Sequence, residues 1–393
     1  MKVMLVMPPP ENTIVMEAPN EVVEEFGAYP PLGLMYIASC IRDKTNHEVI
    51  IVDCDSDRLN FVQLEQKIKE YRPDVVGITA YTPIIFDALR VAKLIKQINP
   101  DTVTIMGGHH SDIYPQETYR LGNIDYMLKG ESEYTFPQLL QAIESNTGFE
   151  EIKGLTYRKE VTDQENDNNN ENISEKIVSN PGYGFVDDLD ELPLPARDLI
   201  DWTKHQCILG REKHVATIMS SRGCPYRCTF CYKPLDSRSY RMRSALSIIK
   251  EIEKCYELGL REIFFFDDNF SVSPKRVEEI CDELIRRKIK ITWSFRGRVN
   301  TINPQMLRKC KKSGCHRIHF GVETGTDEGL SKLKKDINTD MVRKAFRLCK
   351  KAGIITISNF IIGLPWEKKE DMFKTVKFAN EIGADFAEFQ ILT

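Results

Sequence analysis

The chain has 393 residues, 41% hydrophobic and 28% charged, with a formal net charge of −4. That length holds two or three ordinary domains, and a slightly acidic balance supplies no basic field that would make nucleic acid the default partner. No apolar run approaches 18 residues, so no transmembrane helix is expected; the apolar run in MKVMLVM is too short for a signal-peptide core, and a cytoplasmic location is the expectation.

Residues 1–145 alternate short apolar runs with amphipathic helical patterns. KVMLVM reads as a first strand, followed by the long loop PPPENTIVMEAPNEVVEEFGAYPP and the helix LGLMYIASCIRD. HEVIIVDC, DVVGIT, VTIMGG and IDYMLKG read as four further strands; FVQLEQKIKEY, residues 84–97 and TFPQLLQAIES read as helices. Strands of this kind imply a parallel sheet covered on both faces, a flavodoxin-like, doubly wound α/β unit whose ligand lies at the carboxyl ends of the strands. Those ends carry Thr79-Ala80-Tyr81-Thr82 and Gly107-Gly108-His109-His110. Paired glycines allow a backbone to approach a ligand closely.

Residues 146–200 read as a connector. GLTYR has strand character, and TDQENDNNNENISEK is an acidic, Asn-rich surface excursion without apolar anchors. FVDDLDELPLPARDLIDW is a Pro-punctuated linker expected to pack over the domain that follows.

Residues 201–393 resume the strand–helix alternation. HVATIMSS, EIFFFDDNF, ITWSFRGRV, HRIHFGVETG, ITISNFIIGLP and FAEFQILT are six expected strands, separated by helical stretches. Six parallel units form part of a TIM-like barrel, a partial (β/α)6 arrangement whose function lies at the C-terminal strand ends. Cys224, Asp267, Asp268, Arg296, Arg298, Glu323, Gly363 and Glu367 all fall there. The last strand has no closing helix after it, which suggests a truncated chain.

Eight of the eleven cysteines, at 40, 54, 207, 255, 281, 310, 315 and 349, are scattered and read as small buried hydrophobes. The other three, Cys224, Cys228 and Cys231, form C-x3-C-x2-C in SSRGCPYRCTFC. Three thiols in one loop suit a metal. Zinc sites want four ligands, which Cys207, His205 or His214 could complete. A 4Fe–4S cube is usually held by four cysteines. Three would leave one iron open, which suits a catalyst.

With an aromatic residue, Phe230, before its third cysteine, this loop resembles that of the radical S-adenosylmethionine (SAM) superfamily. There the free iron is chelated by SAM, and reduction of the cluster cleaves SAM to a 5′-deoxyadenosyl radical. The resemblance continues through the barrel. FFFDDNF resembles the family's second-strand motif, which implies that Asp268 and Asn269 meet the SAM amino group. SFRGRV implies Arg298 at the SAM carboxylate. FGVETG implies Glu323 at the ribose. NFIIGLPWE implies Ile361 and Gly363 beside adenine, although Trp366-Glu367-Lys368 stands where the family often has Gly-Glu-Thr. Each residue also has a plain structural reading: Asp267 and Asp268 as helix caps, Arg298 as a surface cation, Glu323 as a satisfied loop carboxylate.

PPLGLMYIAS, PDVVGITAYT, TIMGGHHSDIYPQE and DYMLKGESEYTFPQLL resemble the cobalamin-binding domain that precedes many radical SAM barrels. The resemblance implies corrin contacts from Thr79, Tyr81, Thr82, Gly107, Gly108, His109 and Glu131. The D-x-H-x-x-G loop that supplies a cobalt-ligating His in such domains is absent. His109 and His110 could replace it, though such a residue more often touches the corrin edge or solvent. A nucleotide site is disfavoured because G-x-G-x-x-G is absent after the first strand.

The combined resemblance implies a cobalamin-dependent radical SAM enzyme with a 4Fe–4S cluster, SAM and cobalamin. It would act on a small-molecule substrate and draw electrons from a donor such as flavodoxin or ferredoxin. Methyl transfer to an unactivated carbon is the first expectation. Ring closure of the anaerobic magnesium-protoporphyrin ester type, a radical SAM enzyme without cobalamin, and a zinc scaffold stay as alternatives. A methylthiotransferase is less favoured, since no second cysteine trio occurs.

Overall fold

The computed structural model describes residues 1–13, 29–162, 173–207, 209–232 and 240–392, with side chains at 160–162 and 173–175 left aside. Most of the long loop expected after the first strand and most of the Asn-rich excursion lie outside the described residues. The chain divides into two compact units, one of residues 1–187 with 191–205, the other of residues 188–190 with 206–393.

The first unit is built on β1 (Lys2–Met7), β2 (Glu48–Asp53), β3 (Val75–Thr79), β4 (Val103–Gly107) and β5 (Tyr126–Leu128), all parallel and in the spatial order 2-1-3-4-5. This is the flavodoxin-like order expected from the sequence. Successive residues of a strand face opposite sides, and the apolar run of β1 uses both. Val3 and Leu5 join a core with α1 (Leu32–Lys44) and α6 (Thr135–Ser145). Met4 and Val6 join another with α2 (Phe61–Tyr71) and α3 (Ile85–Ile98). Between β4 and β5 run the short helices α4 (His109–Ile113) and α5 (Pro115–Arg120). Asn60 and Gln63 close a capping box at the start of α2.

The connector holds the strand expected at GLTYR and otherwise departs from expectation twice. β6 (Leu155–Thr162) and β7 (Ile173–Ser179) pair as an antiparallel hairpin and extend the first sheet to seven strands. The Pro-rich linker, expected over the following domain, instead belongs largely to the first unit. Ser39 Oγ donates to Leu194 O at 2.6 Å, Ala196 N donates to Met35 O at 3.1 Å, and Arg42 grips both oxygens of Asp198. Ala196 enters the core beside α1, and Leu199 packs against the same core.

The second unit is an open barrel of six parallel strands in sequence order: β8 (Val215–Ile218), β11 (Glu262–Phe265), β12 (Thr292–Gly297), β13 (Cys315–Glu323), β14 (Ile355–Ile362) and β15 (Phe386–Ile391). A two-residue ladder, β9 (Ser221–Arg222) with β10 (Arg241–Met242), brackets the cysteine loop. The strands alternate with α7 (Ala245–Glu257), α8 (Pro274–Arg286), α9 (Pro304–Lys312), α10 (Asp327–Lys332), α11 (Thr339–Ala352) and α12 (Lys369–Glu381). Ser244, Ser273, Asn303 and Asn338 cap α7, α8, α9 and α11 through their side chains. No described helix is long and apolar enough to cross a membrane.

An aromatic wall stiffens the outer faces of β11 and β12. Phe265 stacks on Phe270 at 4.3 Å between centroids, Phe270 meets Phe295 at 5.0 Å, and Trp293 stacks on Phe295 at 5.7 Å. The buried Trp293 donates its indole N–H to Ser313 O at 3.1 Å. Trp293→Ala is expected to cost about 3–5 kcal/mol through the cavity and the orphaned carbonyl; urea unfolding reads this as a lowered midpoint.

Candidate functional site

The cysteine loop leaves the C-terminal end of β8 and is fixed from behind. Asp267, just past β11, is 1% exposed. Its Oδ1 accepts from Ser220 N at 2.7 Å, and its Oδ2 accepts from the hydroxyls of Ser220 and Ser221, each at 2.5 Å. Arg276 stands 3.8 Å away and donates to Ser220 O at 2.6 Å. Burial pushes the Asp267 carboxyl upward, while Arg276 and the two serines oppose that shift. The aspartate thus anchors the loop and does not cap a helix; Ser273 caps α8.

Gly223 turns the loop with φ +76°, a conformation that favours glycine. Cys224 and Cys228 are half-buried and Cys231 is exposed, whereas seven of the eight scattered cysteines are buried. Those seven are packing residues, and Cys207 is half-buried. Thr229 N donates to Leu333 O at 3.1 Å, tying the loop to the segment after α10. Among the described residues no three Cys, His, Asp or Glu side chains converge into a ligand sphere. The donor set is nonetheless chemically apt for iron: three accessible thiols on one braced loop beside a cation.

That cation is Arg298, which is 6% exposed and therefore no surface residue. Its Nη1 lies 3.4 Å from Cys228 Sγ, its guanidinium stacks 3.6 Å over the Tyr226 ring, and its Nη2 donates to Lys335 O. Glu323, at the end of β13, adopts φ +74°, rare for a residue with a Cβ, and pairs with Lys335 Nζ at 2.6 Å. Such strain is held only by firm surroundings and marks functional positions. Gly321 makes room for the pair, because a Cβ there would meet both Glu323 Oε1 and Lys335 Nζ.

Phe230 packs with Trp366 against Leu333, Ile361 and Leu364, so Phe230 and Ile361 share one apolar surface. Gly363 follows with φ +80°. Asp268 is exposed, and Asn269 is buried with an Nδ2 that has no partner among the described residues. Glu367 Oε2 accepts from Leu364 N at 3.1 Å, and its buried Oε1 is also without a partner among the described residues. Lys335 was not legible beforehand: inside KLKK it looks like one more solvated cation.

In the first unit the expected residues gather at the ends of β3 and β4. Ala80 N donates to Gly107 O at 2.7 Å, and His110 N donates to Ala80 O at 3.2 Å. Gly108 has φ +116°, and a Cβ there would lie 2.5 Å from Ala80 O, so only glycine fits this cradle. Thr79 is buried, while Tyr81 is exposed with its ring 6.0 Å from that of His109. His110 is buried, contacts Thr82 Oγ1 at 3.2 Å, and has its imidazole pKa lowered by burial. His109 is the accessible one of the pair, its side chain 67% exposed. Glu131 Oε2 accepts from Val186 N at 2.8 Å and so also holds the connector.

A radical SAM superfamily domain matches residues 218–379, and a B12 binding domain matches residues 22–140. An uncharacterized methyltransferase of Pyrococcus horikoshii is 34% identical over 396 residues, spanning 100% of this chain and 81% of its own length. The chain belongs to the cobalamin-binding radical SAM methyltransferase family. This cobalamin-binding radical SAM protein is also 29% identical to the anaerobic magnesium-protoporphyrin IX monomethyl ester cyclase of Rubrivivax gelatinosus, over 93% of the chain and 65% of that relative. Its fold matches the radical SAM methyltransferase TsrM of Kitasatospora setae, solved with cobalamin and a 4Fe–4S cluster bound, with a TM-score of 0.75 at 19% identity over 99% of this chain and 72% of that one. The family's cofactors are a 4Fe–4S cluster, SAM and cobalamin.

Asp267→Asn should leave a folded protein that retains much less iron after anaerobic reconstitution, because the loop loses a charged anchor; iron retention at the wild-type level would show that the anchor does not shape the loop. Gly108→Val should lower cobalamin retention and cost about 1–3 kcal/mol of stability, read as bound cobalt per chain and a melting temperature.

Proposed function

We propose that this protein transfers a methyl group to an unactivated carbon of a small molecule. The observation that carries the reading is the anchored three-cysteine loop at the C-terminal strand ends, with Arg298 against Cys228 and Glu323 beside Lys335, in a chain that also has the B12 domain. Cys224, Cys228 and Cys231 would hold the cluster. When bound, the cofactors supply the radical and the methyl group.

The protein's own residues bind and orient. Arg298 and the open Nδ2 of Asn269 suit the amino acid end of SAM, with Asp268 close in sequence; Glu323 suits its ribose hydroxyls; Phe230, Ile361 and Gly363 suit the flat adenine. Occupation of Glu323 by a ribose would weaken its hold on Lys335, leaving that ammonium for a second anionic group nearby. In the first unit, Thr79, Tyr81, Thr82, Gly107, Gly108, His109 and Glu131 would contact the cobalamin, and Glu131 also holds the connector. A low-potential donor of the flavodoxin or ferredoxin kind would reduce the cluster, and the protein would work in the cytoplasm. Oxidative ring closure is the second reading, favoured by the similarity to the ester cyclase.

Protein made and purified without oxygen, with cobalamin supplied, is expected to hold about four irons and one cobalt per chain and to form 5′-deoxyadenosine from SAM. Cys224→Ala, Cys228→Ala and Cys231→Ala should each abolish that product. Iron without cobalt would remove the methyl carrier, and zinc in place of iron would overturn the reading.

A further inference from the structure

Charge is unevenly spread over the second unit. Residues 304–314 carry four cations and no acid, and residues 341–353 carry five and no acid, in a chain of net charge −4. A parallel strand pair needs a crossover, so each barrel helix runs back against the strands. The C-terminal ends of α8, α9 and α11 therefore gather at the N-terminal ends of β12, β13 and β14. The cysteine loop leaves the opposite end. A strand the length of β12 (Thr292–Gly297) separates the two ends by about 20 Å.

The cations at this end are exposed and lack countercharge. Lys288 and Lys290 follow α8, and Arg308 and Lys312 lie on α9. Lys344, Arg347, Lys350 and Lys351 lie on α11. None of them pairs with a carboxylate among the described residues, because the neighbouring acids are engaged elsewhere. Glu283 takes Arg286 at 2.6 Å and Arg287 at 2.9 Å, while Asp282 and Glu278 take Lys309 at 2.7 and 3.2 Å. Asp385 Oδ2 accepts from Thr356 N at 2.8 Å and from Thr356 Oγ1 at 3.0 Å. Lys311 Nζ donates to Gly353 O, which ties the end of α9 to the end of α11.

Cations in the last turn of a helix answer its dipole, but the effect fades beyond that turn. Lys344 and Arg347 stand before the last turn of α11, so the dipole does not account for them. Arg308 with Lys312, and Arg347 with Lys344 and Lys351, are three or four positions apart on one helix face, where like charges repel. A dense field of one sign attracts a surface of the other, and the side-chain types narrow down which surface. Protein interfaces are anchored by aromatic residues and depleted of lysine. Single-stranded nucleic acid is held by stacking on aromatic rings. These segments expose no aromatic residue and are rich in lysine. Lysines spread over three helix ends suit a diffuse sheet of negative charge.

We propose that this end of the barrel docks on an anionic lipid bilayer, with Lys288, Lys312, Lys350 and Lys351 toward the headgroups. Clustered lysines are drawn to anionic lipid, and salt screens the attraction. The contact is peripheral. Of the large exposed hydrophobic residues only Met341 falls in these segments, near the start of α11 and away from its cationic end. The cysteine-loop end of the barrel stays clear of the bilayer.

Co-sedimentation of the cofactor-loaded protein with vesicles tests this, using phosphatidylcholine alone and phosphatidylcholine mixed with phosphatidylglycerol. The protein should pellet with the anionic vesicles, stay in the supernatant with the zwitterionic ones, and leave the anionic vesicles at high salt. Combined Lys288→Gln, Lys312→Gln, Lys350→Gln and Lys351→Gln should weaken binding about tenfold or more. Combined Lys67→Gln, Lys93→Gln, Lys153→Gln and Lys250→Gln, at exposed positions on other elements, removes the same charge and should leave binding within about threefold of wild type. Absence of binding to anionic vesicles, or equal binding to both kinds, overturns the proposal. So does unaltered binding by the first variant at wild-type melting temperature, or an equal loss in the second. Tighter binding to a short DNA duplex than to anionic vesicles would assign the patch to nucleic acid and overturn it as well.

Discussion

The buried contact between Asp267 and the cysteine loop is the constraint on which the candidate site depends. A carboxylate at 1% exposure is costly unless its oxygens are filled. Here a backbone N–H and two hydroxyls fill them, and a guanidinium stands nearby. The same guanidinium, Arg276, also donates to Phe270 O, so the carboxylate joins the ends of β8 and β11 to the first turn of α8. A second buried pair extends the bracing. Arg243 bonds to Glu251 of α7 and to the side chain of Ser247, and its backbone N–H donates to Ser220 O. A loop that must present three thiols without collapsing needs support of this kind, because the thiols themselves contribute little packing.

Much of the architecture was legible because burial on both faces writes itself into a strand as a continuous apolar run. Val3 and Leu5 serve one core while Met4 and Val6 serve the other, so KVMLVM could be read as a parallel strand without knowing its neighbours. The barrel strands were legible for the same reason. The hairpin strand β7 was not: ISEKIVS follows an Asn-rich run and is held by edge pairing with β6, which leaves little pattern in sequence. The docking of the linker was also hidden, since it rests on Ala196 and Leu199, on one serine hydroxyl, one backbone hydrogen bond and one exposed ion pair, residues common in any loop.

The site divides along similar lines. Cysteine spacing announced itself. Arg298 and Glu323 were visible through motif resemblance, but what surrounds them was not. Lys335 reaches Glu323 across twelve positions, and its carbonyl receives Arg298. Asp267 looked like a helix cap because an acid before a helix usually is one. Its tie to Ser220, 47 positions earlier, is a product of strand order. Glu131 lies in a segment resembling a cofactor loop, and its carboxylate also holds Val186 in the connector. In each case a tertiary partner far away in sequence decided the role.

Strand register explains how one barrel keeps an apolar exterior and a charged interior on the same few residues. On β12 the order Trp293, Ser294, Phe295, Arg296 places wall and lumen residues in strict alternation, so a slip of one position would bury Arg296 in the aromatic wall and expose Phe295 to the lumen. The ladder is interrupted where the site needs it. Between Gly321 and Glu323 the pairing with β14 shifts, so that Gly321 opposes Asn359 and Glu323 opposes Phe360. The extra residue in β13 bends the strand end and turns the Glu323 side chain toward Lys335. A second shift, between Trp293 and Ser294, lies where Arg317 meets Ser294. Irregularity in the barrel ladder therefore falls at two of the places where buried charge is accommodated, one beside Glu323 and Lys335 and one beside Arg317.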